Sequence, residues 1–127
     1  MQPQDFFKEL MDAQELIKEE KYNEAIVKLE KLREIEKNGD FDYTLTHKLY
    51  QLISNSQSLY NQKIISNHIE QISKEMNSIS FNELNQILRD DSLDIDDSIL
   101  RREIELLILR DYIQCKIEGN KIIFSLT

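Results

Sequence analysis

Few residues in this chain are of the types that do covalent or metal chemistry, and their spacing does not gather them. His47 and His68 fall in separate expected helices, and neither has a second His or a Cys at ligand spacing. A metal site needs three or four converging ligands, so none is expected. The acidic run Asp90, Asp91, Asp94, Asp96, Asp97 invites a calcium reading, but it lacks the central Gly and terminal Glu of a calcium loop. Capping of a following helix and solvated surface explain it better. Gly39 and Gly119 stand alone, so no phosphate-cradling loop exists, and the serines show no Ser-His-Asp spacing. The sequence therefore points away from an enzyme and away from a cofactor. Arg101 and Arg102 are the remaining candidates, as cations on one helix face that phosphate or guanine would attract.

Composition narrows the partners. The net charge is −8 over 127 residues. Residues 1–65 carry nine basic and twelve acidic groups, and residues 66–127 carry seven and twelve, so both halves are acidic. Such a surface repels phosphate and disfavours nucleic acid. No apolar run is long enough to span a membrane, and the start Met-Gln-Pro-Gln-Asp has no basic-then-apolar leader pattern. A single cysteine excludes an internal disulfide and fits a reducing, cytoplasmic setting. Cys115 sits on the inward side of an expected strand, where core filler is its expected role.

The elements that must position these residues are mostly helical. Phe6, Leu10, Ala13 and Ile17, widened by Phe7 and Met11, mark a helix over about 5–20. Tyr22, Ala25, Ile26, Leu29 and Leu32 mark a second over about 22–37. With almost no loop between them the two form an antiparallel hairpin. Gly39 reads as a left-handed cap. A third helix is expected over 43–60, an interruption at Asn61-Gln62, and a fourth over 63–77 with Ile65, Ile69, Ile72 and Met76.

The C-terminal part is more sharply patterned. Ile79–Phe81 reads as a short strand, Ser80-x-x-Glu83 as a capping box opening a helix with Leu84, Ile87 and Leu88 inward. A helix over 96–112 buries Leu100, Ile104, Leu107 and Ile108 and turns Arg101, Arg102, Glu105 and Leu109 outward. Last comes a hairpin of Ile113–Glu118 and Lys121–Leu126 about Gly119-Asn120, whose turn is type II′ or I′. Setting Glu118 opposite Lys121 puts Ile117 against Ile122, Cys115 against Phe124 and Ile113 against Leu126, all on one face. Gln114, Lys116 and Ser125 take the other face, and Ile123 is the apolar exception there.

Strand, helix, helix, hairpin is the order of a winged helix. The stretches Ile79-Ser-Phe-Asn-Glu-Leu84, Ile99-Leu-Arg-Arg-Glu-Ile104, Leu107-Ile-Leu109 and Tyr112-Ile-Gln-Cys-Lys-Ile117 resemble the winged helix of PCI domains, which build the proteasome lid and other scaffolds. Tyr22-Asn-Glu-Ala25-Ile26 with Leu29 and Leu32 resembles a tetratricopeptide-type helical pair, with Glu20 near the place of the usual turn glycine; a three-helix MIT-type domain matches this segment too. Winged-helix adaptors of ESCRT-II and of the ubiquitin-fold modifier ligase assembly are similar rivals. PCI subunits usually carry more helical repeats than this chain. The expected fold is thus mainly α, with helical hairpins (1–62) packed on a C-terminal winged helix (63–127) with a small antiparallel β-wing, in one continuous PCI-like unit.

The resemblance implies a non-catalytic scaffold that binds other proteins, another winged-helix or PCI-type subunit or a second copy of itself. Arg101, Arg102, Glu105, Leu109, Lys116 and Ile123 are the candidate contacts, through the outward helix face or an exposed wing strand. A winged-helix DNA-binding regulator using Arg101 and Arg102 is the alternative. Against it, residues 96–110 carry three basic and four acidic groups, where a DNA reader wants a basic stripe.

Overall fold

Proline at the first helical position and a chain of spaced apolar residues start α1 (Pro3–Lys18). In this computed structural model, which describes residues 1–124, α1 is followed by α2 (Tyr22–Lys37), α3 (Tyr43–Ser73), β1 (Ser78–Ser80), α4 (Phe81–Asp90), α5 (Asp97–Leu109), β2 (Cys115–Glu118) and β3 (Lys121–Phe124). The chain is mainly helical with a small antiparallel sheet. It forms two compact units, Met1–Tyr60 and Asn61–Thr127.

In the first unit the stripes of α1 and α2 meet as expected of a helical hairpin. Phe6, Leu10, Ala13, Leu29 and Leu32 are buried together with Leu49 and Leu52 of α3. Ala13 and Ala25 are fully buried, and an ion pair joins Glu9 to Lys28 across α1 and α2. Phe7 does not widen the buried stripe; it is half exposed. Asp42 accepts the Leu45 N–H at 3.1 Å and so caps α3.

The expected break at Asn61-Gln62 is absent, because α3 runs helical from Tyr43 to Ser73. Asn and Gln disfavour a helix only by tenths of a kcal/mol per residue, roughly, and lack the steric block of Pro. Both side chains are buried, and Arg110 donates to Gln62 Oε1 at 3.0 Å. The helix stops four residues before the expected 77, and Met76 lies beyond it, exposed.

The second unit is organised about β3, the centre of a sheet in the order β1-β3-β2. The expected register holds: Glu118 pairs with Lys121, Ile117 with Ile122, Cys115 with Phe124. β1 is the third member, with Ile79 opposite Ile122. β2 begins at Cys115 rather than Ile113, although Ile113 is still buried; Ser125 and Leu126 lie outside the described residues. Gly119 takes φ +59° while Asn120 does not take positive φ, which fits II′ and excludes I′. The buried Ile79, Ile122, Phe124, Leu84, Leu88, Leu100, Ile104 and Leu107 supply the core of this unit. Leu93, also buried, pins the 91–96 connection.

Three helix ends share one device. Glu20, Ser92 and Asp111 have φ of 61°, 70° and 63°. At each, the next residue's N–H reaches back to the carbonyl five residues earlier: Lys21 to Leu16, Leu93 to Leu88, Tyr112 to Leu107. The positive-φ residue itself donates to the carbonyl three before it, giving a Schellman cap. Gly39, expected in this role, has no positive φ. It is needed for a different reason: a Cβ there would collide with the Phe41 ring, which stacks on Phe6 at 4.3 Å. A left-handed L-residue costs roughly 1–2 kcal/mol, partly offset by glycine's extra freedom when unfolded. Glu20→Gly and Ser92→Gly are therefore each expected to stabilise the protein by about 0.5–1 kcal/mol in urea unfolding; a loss of stability would show that these side chains contribute more than their backbone strain.

Candidate functional site

Every member of the acidic run has a polar side-chain partner, and Asp96 and Asp97 hold α5 in place. Asp90 accepts from Gln86 Nε2 at 3.0 Å, and Asp91 meets His68 Nε2 at 2.8 Å. Asp94 lies 3.7 Å from Arg89. Asp97 accepts from the buried Asn85 Nδ2 at 2.6 Å, tying α5 to α4. Asp96 is the cap of α5, accepting the Ile99 N–H at 2.8 Å and the Ser98 hydroxyl at 2.7 Å. Among the described residues no group of three His, Cys, Asp or Glu is placed to hold a metal ion. His47 instead stacks on the exposed Tyr43. Burial pushes the Cys115 thiol up, which favours its protonated form over the nucleophilic thiolate.

The capping box at α4 is half as expected. The Glu83 N–H donates to Ser80 Oγ at 3.1 Å, but the Glu83 carboxylate accepts the Ser80 hydroxyl at 3.0 Å rather than reaching a backbone N–H.

The six candidate contact residues occupy two elements. On α5, Arg102, Glu105 and Leu109 are exposed at a spacing of three and four, which is one helical stripe. Arg101 is held differently. It donates through Nη2 to the Gly119 carbonyl at 2.7 Å and lies over the Phe81 ring at 4.7 Å. This cation joins α5, the start of α4 and the hairpin turn, and much of its charge faces a carbonyl and a π-cloud. Arg102 Nε lies 3.4 Å from the buried Glu103 carboxylate. On the sheet, Lys116 and Ile123 are directly opposite one another in the β2–β3 ladder, and Lys116 forms an ion pair with Glu118 at 3.1 Å. Ile123 is half-buried.

Leu109 is 81% exposed and Tyr112 69%. Tyr112 was expected at the end of the helix and at the start of the hairpin stretch, and not among the candidate contacts. The left-handed turn at Asp111 carries the chain out of α5 just before it. No helix among the described residues is long and apolar enough to cross a membrane.

No protein-family model matches the chain, and no curated protein or solved structure matches it either. What the surface can do chemically rests on its own groups: two large apolar side chains near the end of α5, a mixed-charge stripe leading to them, and an outward sheet face of Lys116, Glu118 and Ile123.

The cap of α5 has a pH signature. The Ser98 hydroxyl, followed by the Ile99 N–H, holds the Asp96 carboxyl below its ordinary value of 3.8. A depressed folded pKa contributes stability above the unfolded value and loses it as pH falls through the folded one. Asp96→Asn keeps a capping oxygen but does not titrate. The stability advantage of wild type over this variant is expected to be constant at neutral pH and to shrink below about pH 4; melting temperatures across that range read it, and a pH-independent difference would remove the assignment.

Proposed function

We propose that this chain is a non-catalytic protein-interaction module, a winged-helix adaptor of PCI-like type that assembles with other protein subunits in the cytoplasm. The observation that carries the reading is the exposure of Leu109 and Tyr112 near the end of α5, in an otherwise strongly charged chain. Exposed aliphatic and aromatic groups next to a polar stripe are the composition of an interface core with its rim. Arg102 and Glu105 supply the rim on α5, and Ile123 with Lys116 supplies a second contact on the sheet.

The DNA-binding alternative draws less support. Of its two proposed phosphate contacts, Arg101 is engaged by the Gly119 carbonyl and the Phe81 ring. The surrounding charge is negative in both halves of the chain.

Two measurements test this reading. Leu109→Asp and Ile123→Asp, introduced singly, are expected to abolish capture of the partner subunit in affinity purification followed by cross-linking, with the helical circular dichroism unchanged. Retained capture by both variants would remove the site. Labelled random duplex DNA is expected to show no anisotropy change at low salt, where counterion release makes even non-specific binding visible; salt-sensitive binding would put Arg101 and Arg102 in its place.

A further inference from the structure

We propose that the open edge of β2 pairs with β2 of a second copy of the chain, in an antiparallel arrangement centred on Ile117. This rests on the protein-interaction reading and names one partner for the hairpin.

The edge is available. β2 is the last strand of the sheet, and among the described residues no backbone group on its outer side has a backbone partner. The two-residue turn is closed by the pair Glu118–Lys121. In an antiparallel ladder the hydrogen-bonded pairs alternate, so Glu118 and Lys116 bond inward to β3. The N–H and C=O of Cys115 and Ile117 then point away from the sheet, ready to bond a further strand.

Charge selects the register. Two identical antiparallel strands related by a two-fold axis place one residue opposite its own copy. Centring on Lys116 sets lysine against lysine, and centring on Glu118 sets glutamate against glutamate. Both registers also put inward-bonding residues at the centre. Centring on Cys115 leaves both charges opposite uncharged residues. Centring on Ile117 does three things at once. Its outward N–H and C=O meet their own copies. The two Ile117 side chains meet on the apolar face. Lys116 faces Glu118 of the second copy and Glu118 faces its Lys116, giving two opposite-charge cross-strand pairs. The Lys116–Glu118 ion pair at 3.1 Å within one strand already brings these groups together on that face.

A short strand bearing a lysine ordinarily resists edge-to-edge pairing. Here the same two charges oppose two competing registers and match one. They act as a key as well as a guard.

The test uses the full chain in sedimentation velocity from micromolar to millimolar concentration, at low and moderate salt. Wild type is expected to show a concentration-dependent monomer–dimer equilibrium. Lys116→Glu and Glu118→Lys each turn two attractive pairs into two repulsive ones and are expected to weaken dimerisation by about tenfold or more. The double variant Lys116→Glu with Glu118→Lys restores the matching and is expected to recover it. Both side chains are exposed, and because Glu118→Lys sets a lysine opposite Lys121, unchanged circular dichroism and melting temperature are required of each variant before its dimerisation is compared. Slower hydrogen exchange of the Ile117 amide at high concentration is an independent expected sign that needs no variant. A wild type that stays monomeric overturns the proposal, as does a dimer indifferent to the single variants or a swap that fails to recover it. If a monomeric wild type still captures a different protein through Leu109, self-pairing alone has failed; if it captures nothing, the interaction reading fails with it.

Discussion

Two carbonyls in the β2–β3 turn tie the second unit together. The Asn120 carbonyl accepts the Phe81 N–H at 3.0 Å, which fixes where α4 begins. The Gly119 carbonyl accepts from Arg101 at 2.7 Å, which fixes α5 against the same turn. Both carbonyls belong to the tight turn that the positive φ of Gly119 permits and that the Glu118–Lys121 pair closes. A slip of one residue would turn the fully buried Ile122 and its neighbour Phe124 outward. It would also move both carbonyls away from their donors. Apolar burial and turn chemistry therefore specify the same arrangement, and the long-range contacts depend on it.

This dependence explains what the sequence made legible. The hairpin register could be read because a two-residue turn and strict alternation leave one solution. The cap at Ser80 could be read, and that of α5 narrowed to the end of the acidic run, because a capping oxygen acts within three residues; the structure singles out Asp96. What escaped is of another kind. Glu20, Ser92 and Asp111 occupy left-handed positions that residue preference assigns to glycine, and the Schellman bonds that hold them there are visible only in three dimensions. Gly39 was misread for the complementary reason, since its value lies in the closeness of Phe41 and not in its own backbone. Asn61-Gln62 looked like a break because polar residues interrupt an apolar stripe, yet an interrupted stripe is not an interrupted helix.

The candidate site divides along the same line. Leu109 was legible as an outward residue from helical spacing alone. Arg101 lay on the same face by that logic, but its partner is eighteen residues away across a hairpin, and no local pattern encodes such a bond. The consequence for function is direct. A helix face that counted two cations from sequence keeps only Arg102 as an outward charge, beside Glu105. In the acidic run before α5, Asp96 and Asp97 are drawn into a cap and a tie, while Asp94 stands exposed and contributes to the field of the surface.

A sheet edge and a helix end make different demands on a partner. The β2 edge offers backbone groups, which bond any extended strand, so selectivity there must come from side chains flanking the ladder. Lys116 and Glu118, two residues apart on one face, supply it by favouring a strand with the inverse order of charges. An antiparallel copy of the same strand presents that inverse order automatically, because reversing the direction of Lys-x-Glu gives Glu-x-Lys. Leu109 and Tyr112 offer no backbone ladder, and their selectivity depends on the shape that receives them. A partner that adds a strand to β2 must compete with self-pairing for the same N–H and C=O groups. A partner that grips the end of α5 makes no claim on those groups, so the two modes are chemically separable within one small unit.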